Sequence, residues 1–220
     1  MKINNIIFDW DGTLGMTLHL WLAGYRQALQ DQGHTILDSI IARDFFYEHD
    51  KGQLKYPDVD FVKLVDDTRA HVFSHLGDLK LYGNAKETVA SLHDQGINLA
   101  LVSSSSRQLV EKGLALYGLE IYFKSIISGD DITKHKPDPE AFNQTFNNIG
   151  AVPEETLIIG DAKTDIIAGK KTNTITCLFT PSDNEMFYDF DVLRATEPDF
   201  EITSQKELLS IVANANSLPS

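Results

Sequence analysis

The sequence contains a single cysteine, Cys177, among 220 residues, so the chain cannot close an internal disulfide. Because Cys177 lies in the apolar run 175–179, we expect a buried, reduced thiol and not a reactive one. Long hydrophobic runs are missing too, since none approaches the roughly 20 residues that cross a bilayer. The N-terminus lacks the charged head, apolar helix and cleavage site of a signal peptide. These absences predict a cytoplasmic protein.

Positive charge is scarce. The chain has 19 lysine and arginine residues against 32 aspartate and glutamate residues, which gives a formal net charge of −13. Such a charge argues against nucleic acids or anionic membranes as partners, because both repel an acidic surface. A negative protein that handles phosphate must therefore supply positive charge locally, through a bound cation or placed lysines.

Short apolar runs alternate with amphipathic segments along most of the chain. The runs lack polar alternation, as is typical of strands buried on both faces of a parallel sheet. This alternation predicts an α/β fold with a doubly wound parallel sheet. The predicted strands are 5–8, 98–103, 125–127, 156–159, 174–179 and 198–202, and the predicted helices are 84–95, 107–117, 139–149, 164–171 and 205–213.

One stretch interrupts this alternation. Residues 16–81 contain helix-like segments at 18–32, 37–48 and 61–76 but no convincing buried strand. We therefore predict two domains: a core built from residues 1–15 and 82–220, and a helical cap formed by residues 16–81. The oligomeric state is not indicated by the sequence.

Two apolar strands end in pairs of carboxylates. Asp9 and Asp11 follow the first strand, while Asp161 and Asp165 follow the strand at 156–159. Ligands of open α/β sheets collect at the carboxyl ends of strands, so these side chains are candidates for a metal and phosphate site. The alternative interpretation is an Asp-Gly turn at the first position and a helix-start carboxylate at Asp165.

Donors for an anion occur at two further places. Lys136 begins the sequence Lys-Pro-Asp-Pro. The two prolines after it stiffen the chain and would hold its ammonium group close to the carboxylates. Ser103 and Ser104 follow a buried strand and precede a helix, so their hydroxyls form a donor-rich pocket with the first amides of that helix. The alternatives are a solvated lysine in a turn and serines that only cap the helix.

Taken in order, these four elements resemble the motifs of the haloacid dehalogenase (HAD) superfamily. The chain has Asp-Xaa-Asp-Gly-Thr at 9–13, a serine at the end of a strand, a lysine before Pro-Xaa-Pro, and Gly-Asp-Xaa-Xaa-Xaa-Asp at 160–165. The position of the insert is similar to that in subfamily I, whose helical cap follows the first motif, as in phosphoglycolate phosphatase-like members. The resemblance implies a Rossmann-like core and a phosphatase that acts on small-molecule phosphates.

The resemblance also implies roles for these residues. Asp9 would attack phosphorus and form an aspartyl-phosphate, and Asp11 would protonate the leaving oxygen and later deprotonate water. Mg²⁺ would be bound by Asp9, by the backbone carbonyl of Asp11 and by Asp161, which makes these three the metal ligands. Asp165 would orient the waters of the metal or the ammonium group of Lys136.

The phosphoryl oxygens would be held by Ser103, Ser104 and Lys136. The presence of Asp11 disfavours dehalogenase and phosphonate-cleaving branches, which lack this aspartate. A sugar phosphomutase of the same cap type remains an alternative. A regulatory module that accepts a phosphoryl group without turnover is another.

The predicted cap contains a polar and aromatic stretch at 43–51. Arg43, His49, Lys51 or Lys55 is a candidate to meet a second anionic group of the substrate. The favoured alternative is that these residues belong to a solvated face and to aromatic packing.

Overall fold

The computed structural model describes residues 2–46 and 49–217, and the side chains of residues 49–51 lie outside this description. A six-stranded parallel sheet occupies the centre, in the order β3-β2-β1-β4-β5-β6. The order reverses at β1, which makes the carboxyl ends of β1 and β4 the expected binding crevice. The strands are β1 (Asn5–Phe8), β2 (Asn98–Val102), β3 (Phe123–Ile127), β4 (Thr156–Gly160), β5 (Ile175–Phe179) and β6 (Phe200–Ile202).

Helices cover both faces of the sheet, which is why β1, β4 and β5 are buried at every position. Ile6 and Phe8 pack with helices on one face, while Ile7, between them, packs with helices on the other. The helices are α1 (Leu18–Asp31), α2 (Asp38–Phe45), α3 (His49–Lys55), α4 (Phe61–Ser74), α5 (Ala85–Asp94), α6 (Arg107–Tyr117), α7 (Glu140–Ile149), α8 (Lys163–Lys171), α9 (Phe190–Arg194) and α10 (Glu207–Ser217). The predicted doubly wound α/β class is confirmed.

Helices α1 to α4 follow β1 and pack mainly on one another. Their apolar residues form a cluster of their own, to which Tyr25, Phe45 and Leu64 contribute. Phe187, from the segment after β5, inserts into this cluster, while Val72 at the end of α4 joins the cluster under the sheet. The insert is thus in apolar contact with the rest of the chain, and its status as a separate cap domain stays a prediction.

Several boundaries differ from the sequence prediction. The predicted helix 37–48 ends at Phe45, and residues 47 and 48 lie outside the described residues. Helix α9 was not predicted, because its five residues are too few to show a period; the Asp189 side chain starts it by accepting from the Asp191 and Val192 amides. Helix α3 was likewise missed.

Each of the described helices is too short or too polar to span a membrane.

Cys177 lies in β5 and is completely buried, as predicted. Burial in the apolar core raises the pKa of its thiol well above the ordinary value. The thiol is therefore a packing group and not a nucleophile.

Candidate active site

Three carboxylates meet at the carboxyl ends of β1 and β4. Asp9 continues β1 and donates its amide to Ile159 O at 2.9 Å, so its side chain leaves the sheet beside that of Asp161. Asp165 reaches the same place from the first turn of α8. One carboxylate oxygen from each of the three lies within 4.8 Å of the others, and all three residues are buried. The structure therefore brings together the predicted Asp9, Asp161 and Asp165.

Two glycines make room for this cluster. Gly12 has a φ of +75°, and a Cβ at this position would lie 1.9 Å from Asp161 Oδ2. A Cβ on Gly160 would lie 2.2 Å from Asp165 Cγ. Because no side chain fits at either position, glycine is required for the close approach of backbone and carboxylate.

The ammonium group of Lys136 lies between two of the carboxylates. Its Nζ is 2.5 Å from Asp9 Oδ1 and 2.7 Å from Asp165 Oδ1. The other oxygen of Asp165 accepts from the Ala162 amide at 3.2 Å. Both oxygens of Asp165 are thus engaged by the protein, which fits a residue that positions Lys136.

The charges in this cluster do not balance. Burial raises the pKa of Asp9 to about 7, even though Lys136 opposes this shift, and repulsion from Asp165 and Asp11 adds to it. Burial, followed by repulsion from Asp9 and Asp165, also raises the pKa of Asp161 well above its ordinary value. For Lys136, burial lowers the pKa, but attraction to Asp165 and Asp9 outweighs it and raises the pKa. One ammonium against three buried carboxylates fits a site for a divalent cation, whose preferred ligands are hard oxygens.

The carboxylate of Asp11 is held by four donors. Its Oδ2 accepts from Ser103 Oγ at 3.1 Å and from Ser105 Oγ at 2.7 Å. Its Oδ1 accepts from Thr17 Oγ1 at 2.7 Å and from Trp21 Nε1 at 3.0 Å. These bonds leave the backbone carbonyl of Asp11 as its contribution to a metal, in line with the role that the family resemblance implies.

The serines after β2 occupy different positions. Ser103 is buried, and its hydroxyl also accepts from the Ser105 amide at 3.0 Å. Ser104 is exposed and lines the pocket described below. The Arg107 amide, at the start of α6, already donates to Asp130 Oδ2 at 2.8 Å. In this structure the hydroxyls of Ser103 and Ser105 donate to Asp11, so either would have to turn away from that carboxylate to hold an anion.

Two residues that the sequence analysis missed hold Asp161 from the segment after β5. Tyr188 donates its hydroxyl to Asp161 Oδ2 at 2.7 Å. Asn184 donates to Gly12 O at 3.0 Å and more weakly to Asp161 Oδ2 at 3.4 Å. The available signal was that β5 is adjacent to β4, so polar residues after its end face the same edge.

A pocket of about 260 Å³ opens beside Asp11, between the insert and the loop after β2. Its polar lining consists of Asp11, Ser104, Ser105, Ser106 and Arg69. Its apolar walls come from Leu18, Trp21, Tyr25, Phe46, Val65 and Leu109.

A family model for haloacid dehalogenase-like hydrolases matches residues 6–179. The chain belongs to this family. It is a HAD-like hydrolase of the phosphatase type, and the family predicted from the four motifs is confirmed.

Two relatives of this HAD-like hydrolase are similar along nearly their whole length. It is 31% identical to the pyrophosphatase PpaX of Halalkalibacterium halodurans, over 96% of this chain and 98% of that protein. It is 32% identical to the pyrophosphatase PpaX of Anoxybacillus flavithermus, again over 96% and 98%. A HAD family hydrolase of Deinococcus radiodurans, solved with bound phosphate and sodium, has the same fold with a TM-score of 0.81, at 22% identity over 99% of each chain.

Two of the cap cations proposed from the sequence, Arg43 and Lys55, are not among the residues that line this pocket of the HAD-like hydrolase. Arg43 and Lys55 both bind Asp44, at 2.8 Å in each case, and hold the pKa of this buried carboxyl well below its usual range. Both cations are therefore paired with a carboxylate of the insert, and Arg69 is the cation that lines the pocket beside Asp11. The side chains of His49 and Lys51 lie outside the described residues.

Proposed function

We propose that this hydrolase is a magnesium-dependent phosphatase that hydrolyses a small organic phosphate monoester through an aspartyl-phosphate on Asp9. The observation that carries the proposal is the placement of the Asp9 carboxylate: its Oδ1 lies 2.5 Å from Lys136 Nζ, and one of its oxygens lies within 4.8 Å of a carboxylate oxygen of Asp161 and of Asp165. This arrangement supports the proposal because it would combine a nucleophile, a fixed cation and a site for a divalent metal beside a pocket.

The chemistry follows from the two aspartates of the first motif. A carboxylate oxygen of Asp9 attacks phosphorus, and the bond from phosphorus to the leaving oxygen breaks. Asp11, which lines the pocket, donates a proton to that oxygen. Asp11 then takes a proton from a water molecule that attacks phosphorus, and the bond from phosphorus to the Asp9 oxygen breaks, which releases inorganic phosphate and restores the Asp9 carboxylate.

The remaining residues manage the negative charge. Asp9, Asp161 and the backbone carbonyl of Asp11 would hold Mg²⁺, and the bound ion supplies positive charge against which carboxylate and phosphate can approach. Lys136 screens Asp9, and with Ser103 and Ser104 it would hold the phosphoryl oxygens. Asp165 keeps Lys136 in place.

The PpaX relatives are called pyrophosphatases, so inorganic pyrophosphate is a second candidate substrate. An organic leaving group is favoured here because six of the residues that line the pocket are apolar or aromatic. Inorganic pyrophosphate has no carbon body to contact these apolar walls. Hydrolysis of metabolite phosphates agrees with the cytoplasmic location, which stays a prediction.

The test is phosphate release from a panel of phosphorylated metabolites and pyrophosphate, with and without magnesium. We expect magnesium-dependent release by the wild type and none by Asp9→Asn. Asp94→Asn, at an exposed aspartate on α5, is the matched control and should keep full activity. Isomerised product with little phosphate would indicate a mutase, and a long-lived phosphoprotein without turnover would indicate the regulatory alternative.

A further inference from the structure

Among the described residues, Arg69 is the one arginine that forms no ion pair with a carboxylate. The sequence has five arginines, and all lie within the described residues. Four of them form ion pairs with carboxylates, whereas Arg69 forms none with the described part of the chain. The four pairs are Arg26 with Asp38, Arg43 with Asp44, Arg107 with Asp131 and Arg194 with Glu201.

The position of Arg69 gives this cation a place in the active-site pocket. It lies one helical turn after Val65 on α4, so both side chains share a face, and both line the pocket beside Asp11. Its charge also acts on Tyr25, another lining residue. Burial raises the pKa of Tyr25 to about 12, and Arg69 opposes that shift. The guanidinium group is therefore close enough to the pocket wall to act on an anion there.

We propose that Arg69 is a specificity-determining residue that binds a second anionic group, a carboxylate or a phosphate, on the leaving group of an organic phosphate. This inference rests on the proposed function and names the substrate class more narrowly. The substrate has its reacting phosphoryl group at Asp9, a short carbon body against the apolar walls, and an anion at Arg69.

The chemistry of the pocket supports this division. A guanidinium group presents a planar set of donors that matches a carboxylate or phosphate in bidentate geometry. Besides Arg69 and Asp11, the lining includes Leu18, Trp21 and Leu109, which suit carbon and not a second hydrated charge. In a chain with a net charge of −13, an anionic leaving group needs such a local cation to enter.

Three synthetic substrates of equal chain length test the inference. Propyl phosphate has no second anion, 2-carboxyethyl phosphate has a carboxylate, and 1,3-propanediol bisphosphate has a second phosphate. For Arg69→Gln, we expect the ratio of kcat/KM for the preferred anionic substrate to that for propyl phosphate to fall about 10- to 100-fold. The carboxylate and bisphosphate arms show which anion is preferred.

Two variants control this measurement. Arg69→Lys keeps the positive charge but loses the paired donors of the guanidinium group. The kcat/KM ratio of this variant should lie between those of the wild type and Arg69→Gln. Lys206→Gln removes one positive charge from an exposed position outside the pocket, and it should leave the ratio unchanged. An unchanged ratio in Arg69→Gln, or an equal change in Lys206→Gln, would overturn the proposal.

Binding measured without turnover separates this proposal from the proposed function. Calorimetry with the two anionic substrates on Asp9→Asn should show affinity that falls about 10- to 100-fold when Arg69→Gln is added. If the wild type releases no phosphate but this difference persists, the phosphatase assignment fails and the anion site stands. If turnover occurs but adding Arg69→Gln leaves the calorimetric affinity unchanged, the anion site fails and the phosphatase assignment stands.

Discussion

The indole nitrogen of Trp21 lies 3.0 Å from Asp11 Oδ1, so a helix of the insert donates directly to the carboxylate that we assign to proton transfer. Thr17, just before that helix, donates to the same oxygen at 2.7 Å. The other oxygen is held by two serines from the loop after β2. The orientation of Asp11 therefore depends on both the insert and the sheet.

Replacing Trp21 by phenylalanine keeps an aromatic ring in the pocket but removes this donor. We expect kcat to fall about tenfold with an alkyl phosphate, which is part of the roughly 100- to 10,000-fold effect of general acid–base catalysis. The loss should be smaller with 4-nitrophenyl phosphate, because its leaving group departs without a proton. Steady-state kinetics with both substrates provide the test. Equal losses would mean that Trp21 acts on binding or folding and not through Asp11.

The hydroxyl of Tyr188 should tune the metal site through Asp161. In Tyr188→Phe, we expect the magnesium concentration for half-maximal activity to rise about tenfold, because partners of metal ligands typically contribute that much to metal affinity. Tyr122→Phe is the matched control. It removes the same atom from a tyrosine directly before β3, at the amino ends of the strands and so at the opposite end of the sheet from the metal site. A magnesium titration that superimposes for wild type and Tyr188→Phe would contradict the role.

Alanine variants of Gly12 and Gly33 distinguish the effect of backbone strain from that of crowding at the metal site. Both have positive φ, +75° and +86°, but a Cβ on Gly33 would meet nothing within 4 Å. Each alanine variant should lose about 1–2 kcal/mol of stability, since both residues adopt the left-handed conformation. Gly12→Ala alone should also lose the thermal stabilisation by magnesium, because its Cβ would displace Asp161. Thermal unfolding of both variants with and without magnesium is the measurement, and retained stabilisation in Gly12→Ala would contradict the site.

Magnesium should stabilise the protein more at high pH than at low pH. The pKa of Asp9 is raised from 3.8 to about 7, chiefly by burial, so without metal the folded state binds a proton more tightly than the unfolded chain does. The contribution of Asp9 to stability therefore falls as the pH rises from about 4 to 7. Magnesium competes with that proton and offsets the loss. The increase in Tm on adding magnesium should be larger at pH 8 than at pH 5.5; an equal or smaller increase at pH 8 would refute this.

Much of the sheet and of the carboxylate cluster could be predicted from local sequence. Residues 6–8, before Asp9, and 157–159, before Gly160 and Asp161, are all apolar, which indicates strands buried on both faces. Parallel pairing then places the ends of β1 and β4 together. Glycines at 12 and 160 mark the places where the chain turns beside a carboxylate. These signals lie within a few residues of each functional side chain.

The residues that were missed depend on packing between distant segments. Tyr188 reaches Asp161 only because the segment after β5 folds back between the sheet and the insert. Arg69 has no distinguishing pattern in α4, where an arginine among polar residues is typical of a solvated face. Its place at the pocket follows from how α4 packs on α1. Such contacts have no local sequence signal.

Borohydride reduction of the enzyme during turnover tests the central claim most directly. An acyl phosphate on an aspartate is reduced to homoserine, which peptide mass spectrometry locates in the chain. We predict homoserine at position 9 with substrate and magnesium present, and none when either is omitted. Phosphate release at full rate without modification at position 9, or with modification at position 11 instead, would contradict the assignment of Asp9 as the nucleophile.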